Sequence, residues 1–106
     1  MVGAAGGVGA ALETGAGDCF VGVCIDVPSG VGFCAEHSAI AAMITAGQSR
    51  VKRIVAVTCE GRIVPPCGRC RQFLLSINDD NIDTEVVLGP DDIMTLEALM
   101  PRRWQH

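Results

Sequence analysis

The residues best suited to chemistry fall in two short runs, Cys34-Ala35-Glu36 and Pro66-Cys67-Gly68-Arg69-Cys70. Thiolates are soft ligands for zinc, and Cys67 and Cys70 stand three positions apart, a spacing that puts both on one helix face where they can grip one ion. Each run opens an expected helix, whose unpaired backbone amides favour thiolate over thiol. With the first helix start facing the same point, Cys34 becomes a third ligand. Three protein ligands leave the fourth tetrahedral position to water, the arrangement of catalytic rather than structural zinc. Zinc lowers the pKa of a bound water towards about 7, and a carboxylate beside it can carry the proton to a substrate atom. Glu36, in the first turn beyond Cys34, is placed for that work without being a ligand. Acidic residues are also common in a first turn simply because they complement the helix dipole.

Helices that present these residues need a sheet to hold them. The β-prone runs Val8–Glu13 and Cys19–Asp26 flank Thr14-Gly15-Ala16-Gly17-Asp18, a turn composition, and predict a hairpin. Pro28-Ser29-Gly30 ends the second run, and Cys34 to Ala46 reads as a helix stopped by Gly47. Arg53–Cys59 is an apolar run suited to a buried strand, Pro65-Pro66 interrupts, and Cys67 to about Ile77 reads as a second helix. A strand over Thr84–Leu88 and a short helix over Thr95–Met100 complete the order ββαβαβα, an α/β sandwich with a mixed sheet. Residues 1–7, rich in glycine and without periodicity, read as a flexible leader, and 8–106 as a single domain. Gly7-Val8-Gly9 does not open a dinucleotide loop, because Leu12 stands where the third glycine is needed.

Composition narrows the classes further. The chain has 106 residues, 49% hydrophobic, with six cysteines and a net charge of -4. One compact domain fits, with a core thin enough that a metal or self-association would help it. Eight basic residues against twelve acidic ones, one Trp, three Phe and no Tyr argue against a grip on a polynucleotide. The uncharged stretch from Met1 to Leu12 is too short and glycine-rich to span a bilayer and lacks the basic flank of a secretory signal, so the expected location is the cytoplasm. In that compartment cysteines serve metal or redox chemistry more often than disulfides. Cys19, Cys24 and Cys59 fall in β-prone runs, where a free cysteine packs as a small hydrophobe, and Met43 and Met94 read as core filler.

Two other readings of the cysteines stay open. His37, three residues past Cys34, is able to close a Cys₃His site and make a structural zinc or interaction module. Alternatively Cys67-Gly68-Arg69-Cys70 has the spacing of a thiol–disulfide oxidoreductase, which leaves Cys34 and Glu36 without a role.

Taken together, Cys34-Ala35-Glu36, Pro66-Cys67-Gly68-Arg69-Cys70-Arg71-Gln72, Val8-Gly9-Ala10-Ala11-Leu12 and the segments Gly22–Asp26 and Ser38–Ala41 resemble the cytidine deaminase family, including its blasticidin S deaminase relatives. The resemblance covers the chain from about residue 8 to 77. It implies a three-layer sandwich, a mixed sheet flanked by helices and here lacking the usual first helix. It implies one zinc held by Cys34, Cys67 and Cys70, and hydrolytic deamination of a free cytidine or deoxycytidine in pyrimidine salvage. Glu36 would be the proton shuttle, the backbone at Ala35 and Cys67 would contact the pyrimidine and its leaving group, and the assembly would be a homotetramer.

The chain departs from the family at informative places. Where nucleoside deaminases read Gly-Val-Asn-Ile-Glu and hold the ribose with Asn and Glu, this chain reads Gly22-Val23-Cys24-Ile25-Asp26, so Cys24 and Asp26 are expected to alter sugar binding. The usual Arg after Cys-Ala-Glu is His37, and Arg69 is the expected compensator of thiolate charge, as in the blasticidin branch. Trp104 is the candidate late aromatic that closes the pocket, from its own or a neighbouring subunit. A blasticidin-like or other modified aminopyrimidine nucleoside is the alternative substrate.

Overall fold

The turn between Thr14 and Asp18 sets the first pairing. Thr14 N–H donates to Asp18 O at 2.8 Å, Asp18 N–H donates to Thr14 Oγ1 at 3.1 Å, and Gly17 takes a φ of 92° that side chains rarely adopt. It joins β1 (Ala4–Thr14) and β2 (Cys19–Asp26) as the expected antiparallel hairpin. The structure is a computed structural model describing residues 4–26, 34–65 and 68–99, the side chains at 4–6, 25–26 and 68–69 excepted.

Helix α1 (Ala35–Thr45) follows, then β3 (Val51–Thr58), β4 (Ile63–Val64), α2 (Gly68–Ile77), a 3-10 turn at Asp79–Asp83, β5 (Glu85–Gly89), β6 (Asp92–Thr95) and α3 (Leu96–Leu99). The strands form one sheet in the order β2-β1-β3-β5-β6, with β4 also paired to β3. Among the described strands only β3 and β5 run parallel, so the sheet is mixed and flanked by helices, as expected.

Alternation along the strands decides which face meets the helices. Gly22, Ala10 and Ala56 stand side by side across β2, β1 and β3, and Phe20, Leu12, Ile54 and Val86 form the next row. On these rows lie Ile40 and Met43 of α1, with Leu74 and Leu75 of α2 and Leu96 of α3 completing the buried core. On the outer face Val21, Val23 and Val57 remain exposed. α1 sits unusually close to β2: a Cβ on Gly22 would lie 2.4 Å from Ala39 N and 2.5 Å from Ser38 Cβ, and Ser38 Oγ donates to Val23 O at 2.7 Å. The helix ends where Gly47 takes a φ of 88°.

Several elements differ from the sequence expectation. β1 reaches back to Ala4, inside the segment read as a leader, because Ala4 and Ala5 pair with Asp26 and Ile25. β3 starts at Val51, whose N–H is taken by Asn81 Oδ1 at 2.8 Å. β4, β6 and the 3-10 turn were not expected at all. Cys19 and Cys59 are exposed rather than buried: Cys19 opens β2 opposite Glu13, and Cys59 lies in the turn past the end of β3. Met94 is exposed on β6, whereas Met43 is fully buried. No helix among the described residues is long and apolar enough to cross a membrane.

Candidate metal centre

Two helix starts build the site. Cys34 is the N-cap of α1, with extended backbone, and its thiol makes no capping bond. Cys70 lies in the first turn of α2 and is fully buried. The Sγ atoms of Cys34 and Cys70 and a ring nitrogen of His37 all lie within 4.8 Å of one another. His37 Nδ1 is 3.1 Å from Cys70 Sγ, and its ring stacks on Phe73, one turn further along α2, with centroids 4.6 Å apart and planes 7° from parallel.

The donor chemistry suits zinc, whose tetrahedral bonds of about 2.0–2.3 Å place neighbouring donors roughly 3.5–3.8 Å apart. The two sulfurs and the imidazole are gathered to about that scale, and this Cys/His/Cys cluster is able to bind a metal.

Glu36, between Cys34 and His37, is 6% exposed. It borders a crevice formed by Ile54, Ala56, Val64 and Val86 of β3, β4 and β5. Among the described residues no hydrogen bond or ion pair engages its carboxylate, which leaves both oxygens available to a proton or a ligand. Ala35 is buried beside Cys34 at the helix start.

The structure therefore brings Cys34 and Cys70 together, with His37 as the third member of the cluster, while Glu36, between Cys34 and His37 in sequence, borders the neighbouring crevice. Cys67 and Trp104 lie outside the described residues, as do the side chains of Asp26 and Arg69, although their backbones lie in β2 and α2. Cys24 is buried in the core, and its Sγ accepts the Val8 N–H at 3.3 Å. Sequence reasoning weighed His37 only as a closing ligand and missed its contact with Cys70 and Phe73. It also missed Arg71, which donates to Leu99 O at 3.2 Å and ties the first turn of α2 to α3.

No protein-family profile matches the chain. Individual relatives do: a cytidine deaminase of Halalkalibacterium halodurans is 37% identical over 99 residues, 89% of this chain and 74% of that protein. The chain belongs to the cytidine deaminase family. A probable cytidine deaminase of Dictyostelium discoideum is 36% identical over 86 residues, of which this chain spans 56% of the length. A blasticidin-S deaminase of Bacillus cereus is 32% identical over 106 residues and is covered over 76% of its length. Among solved structures, the cytidine deaminase of Mycobacterium tuberculosis superposes with a TM-score of 0.84 at 29% identity, covering 96% of this chain and 80% of that one.

Proposed function

We propose that the protein hydrolyses the exocyclic amine of a free pyrimidine nucleoside, cytidine or deoxycytidine, to give uridine or deoxyuridine and ammonia. One zinc ion would be held by Cys34, Cys67 and Cys70. The observation that carries this reading is Glu36, 6% exposed and one position before His37 of a cluster of metal-ligating side chains.

When bound, zinc supplies the Lewis acidity that makes an attacking water acidic near neutral pH. Glu36 takes the proton from that water and delivers it to the ring nitrogen beside the attacked carbon. It then takes the second proton, from the hydroxyl now on the attacked carbon, and passes it to the amine, so that the C–N bond breaks as the carbonyl forms and ammonia leaves. Ile54, Ala56 and Val86 give the Glu36 crevice an apolar lining. The backbone at Ala35 and Cys67 would hold the pyrimidine, Cys24 and Asp26 would face the sugar, Trp104 would close the pocket and Arg69 would offset thiolate charge. A homotetramer in the cytoplasm, acting on small substrates and not on polynucleotides, suits the acidic composition.

One observation favours a second substrate reading. The Cys24 thiol is buried and engaged by Val8 N–H, so it offers no amide to ribose hydroxyls. A blasticidin S-like or other modified aminopyrimidine nucleoside fits such a site. The test is ammonia release by zinc-loaded protein from cytidine, deoxycytidine, cytosine and blasticidin S. Glu36→Gln is expected to keep its metal and lose about 10²–10⁴-fold in turnover. Full activity in that variant removes Glu36 from the mechanism, and silence across the whole panel removes the deaminase reading.

A further inference from the structure

The contact between His37 and Cys70 divides the roles within the cluster. We infer that His37 is a positioning residue that donates its Nδ1–H to the Cys70 thiolate from outside the ligand shell, its ring held on Phe73, and does not bind the ion. The inference rests on the zinc reading above and gives His37 a share in the charge compensation expected of Arg69.

The distance favours a donor over a ligand. A sulfur and a ring nitrogen bound to one tetrahedral zinc are roughly 3.6 Å apart, given bonds of about 2.3 and 2.0–2.1 Å. His37 Nδ1 and Cys70 Sγ stand at 3.1 Å, closer than two co-ligands and at the separation of a hydrogen bond to sulfur.

The orientation of the ring has its own support. Cys70 and Phe73 are three residues apart on α2, so one helix face presents both the sulfur and the aromatic platform. With its plane 7° from that of Phe73, the imidazole lies flat on the platform and directs Nδ1 at the sulfur beside it. Swinging the ring to reach an ion would sacrifice the stack.

Charge supplies the purpose. Three thiolates around a divalent ion leave one net negative charge, and an N–H aimed at a thiolate is a charge-assisted bond, stronger than a neutral one. It fixes Cys70 in one rotamer and draws off part of its electron density. As a ligand, His37 would occupy the fourth position and exclude water, whereas as a donor it leaves that position open. Adjacent residues of one turn thus divide the work, Glu36 at the crevice and His37 against the sulfur.

The test uses the full-length zinc-loaded protein and its His37→Ala, His37→Asn and Phe73→Leu variants. X-ray absorption at the zinc edge of the wild type should show three sulfurs and one light atom without the outer-shell scattering of an imidazole. Chelator competition should show zinc held about 10–100-fold more weakly in His37→Ala, the usual range for an outer-shell partner. His37→Asn, whose amide still donates towards the sulfur, should recover part of that loss, and Phe73→Leu should fall between. Circular dichroism melts establish that each variant is folded. Imidazole scattering in the wild type makes His37 a ligand and overturns the inference, as does equal zinc affinity in the wild type, His37→Ala and His37→Asn. A wild-type protein that binds no zinc overturns the metal reading itself, an outcome distinct from either of these.

Discussion

Gly22→Ala tests whether the placement of α1 governs the site. An added Cβ would lie 2.4 Å from Ala39 N, 2.5 Å from Ser38 Cβ and 2.7 Å from Ser38 C. Ordinary contact requires roughly 3.5 Å, so the helix backbone must retreat by about 1 Å. These are mostly main-chain atoms, and no side-chain rotation relieves them. Overpacking of this kind costs about 1–3 kcal/mol, the Ser38–Val23 hydrogen bond is stretched as well, and replacing a strand glycine returns about 0.5–1 kcal/mol. A net loss of about 2 kcal/mol corresponds to a fall in Tm of roughly 8–16 °C for a domain of this size. Cys34, Glu36 and His37 ride on the same helix within five residues of Ala39, and a misplacement near 1 Å costs on the order of 10²-fold in rate. The assay is a thermal melt by circular dichroism at fixed free zinc, because bound metal itself raises stability, paired with steady-state ammonia release. Gly9→Ala is the control, since its Cβ would approach nothing closer than Gly22 O at 3.9 Å. A Gly22→Ala protein that melts within about 2 °C of the wild type and turns over normally would refute the reasoning.

Other substitutions probe separate parts of the structure. Asn81 is fully buried and accepts from Val51 N while donating to Ser49 O and Leu74 O, so Asn81→Ala should lose about 2–4 kcal/mol by urea titration. A loss under about 0.5 kcal/mol would mean that these bonds do not hold α2 to β3. Cys24→Asn should lower the KM for cytidine roughly tenfold if this strand reads the sugar, the scale of one hydrogen bond to a substrate hydroxyl, and an unchanged KM separates the strand from the substrate. Arg71→Leu frees the Leu99 carbonyl and should increase hydrogen exchange in α3 with zinc content unchanged, whereas exchange equal to wild type would show that the bond contributes nothing.

The parts of the structure legible in the sequence are those with a local cause. The hairpin follows from its turn residues, α1 ends at the glycine expected to stop it, and Cys34, Glu36 and Cys70 stand out by spacing and by their place at helix starts. β4 has two residues, and all of β6 is exposed, so neither carries a periodicity to read. The 3-10 turn depends on the Asn78 side chain accepting from Asp80 N and on Asn81 reaching back to β3. The His37–Cys70–Phe73 arrangement is equally non-local: the sequence names the three residues, but only the packing of α1 beside α2 gives them one distance and one angle.

The parallel pairing of β3 with β5 also bears on how such a centre would acquire an ion. β1 and β2 zip together through a short turn, whereas Arg53 and Ile54 of β3 find Glu85 and Val86 of β5 only after α2 has crossed over between them. Long closures of this sort are slow, because chain entropy is lost before any contact repays it. Cys34 leaves the ribosome well before Cys70, and the two sulfurs meet only when that crossover has been laid down. An ion bound through both sulfurs would then be captured late in folding, and its presence would report that the topology around the centre is complete.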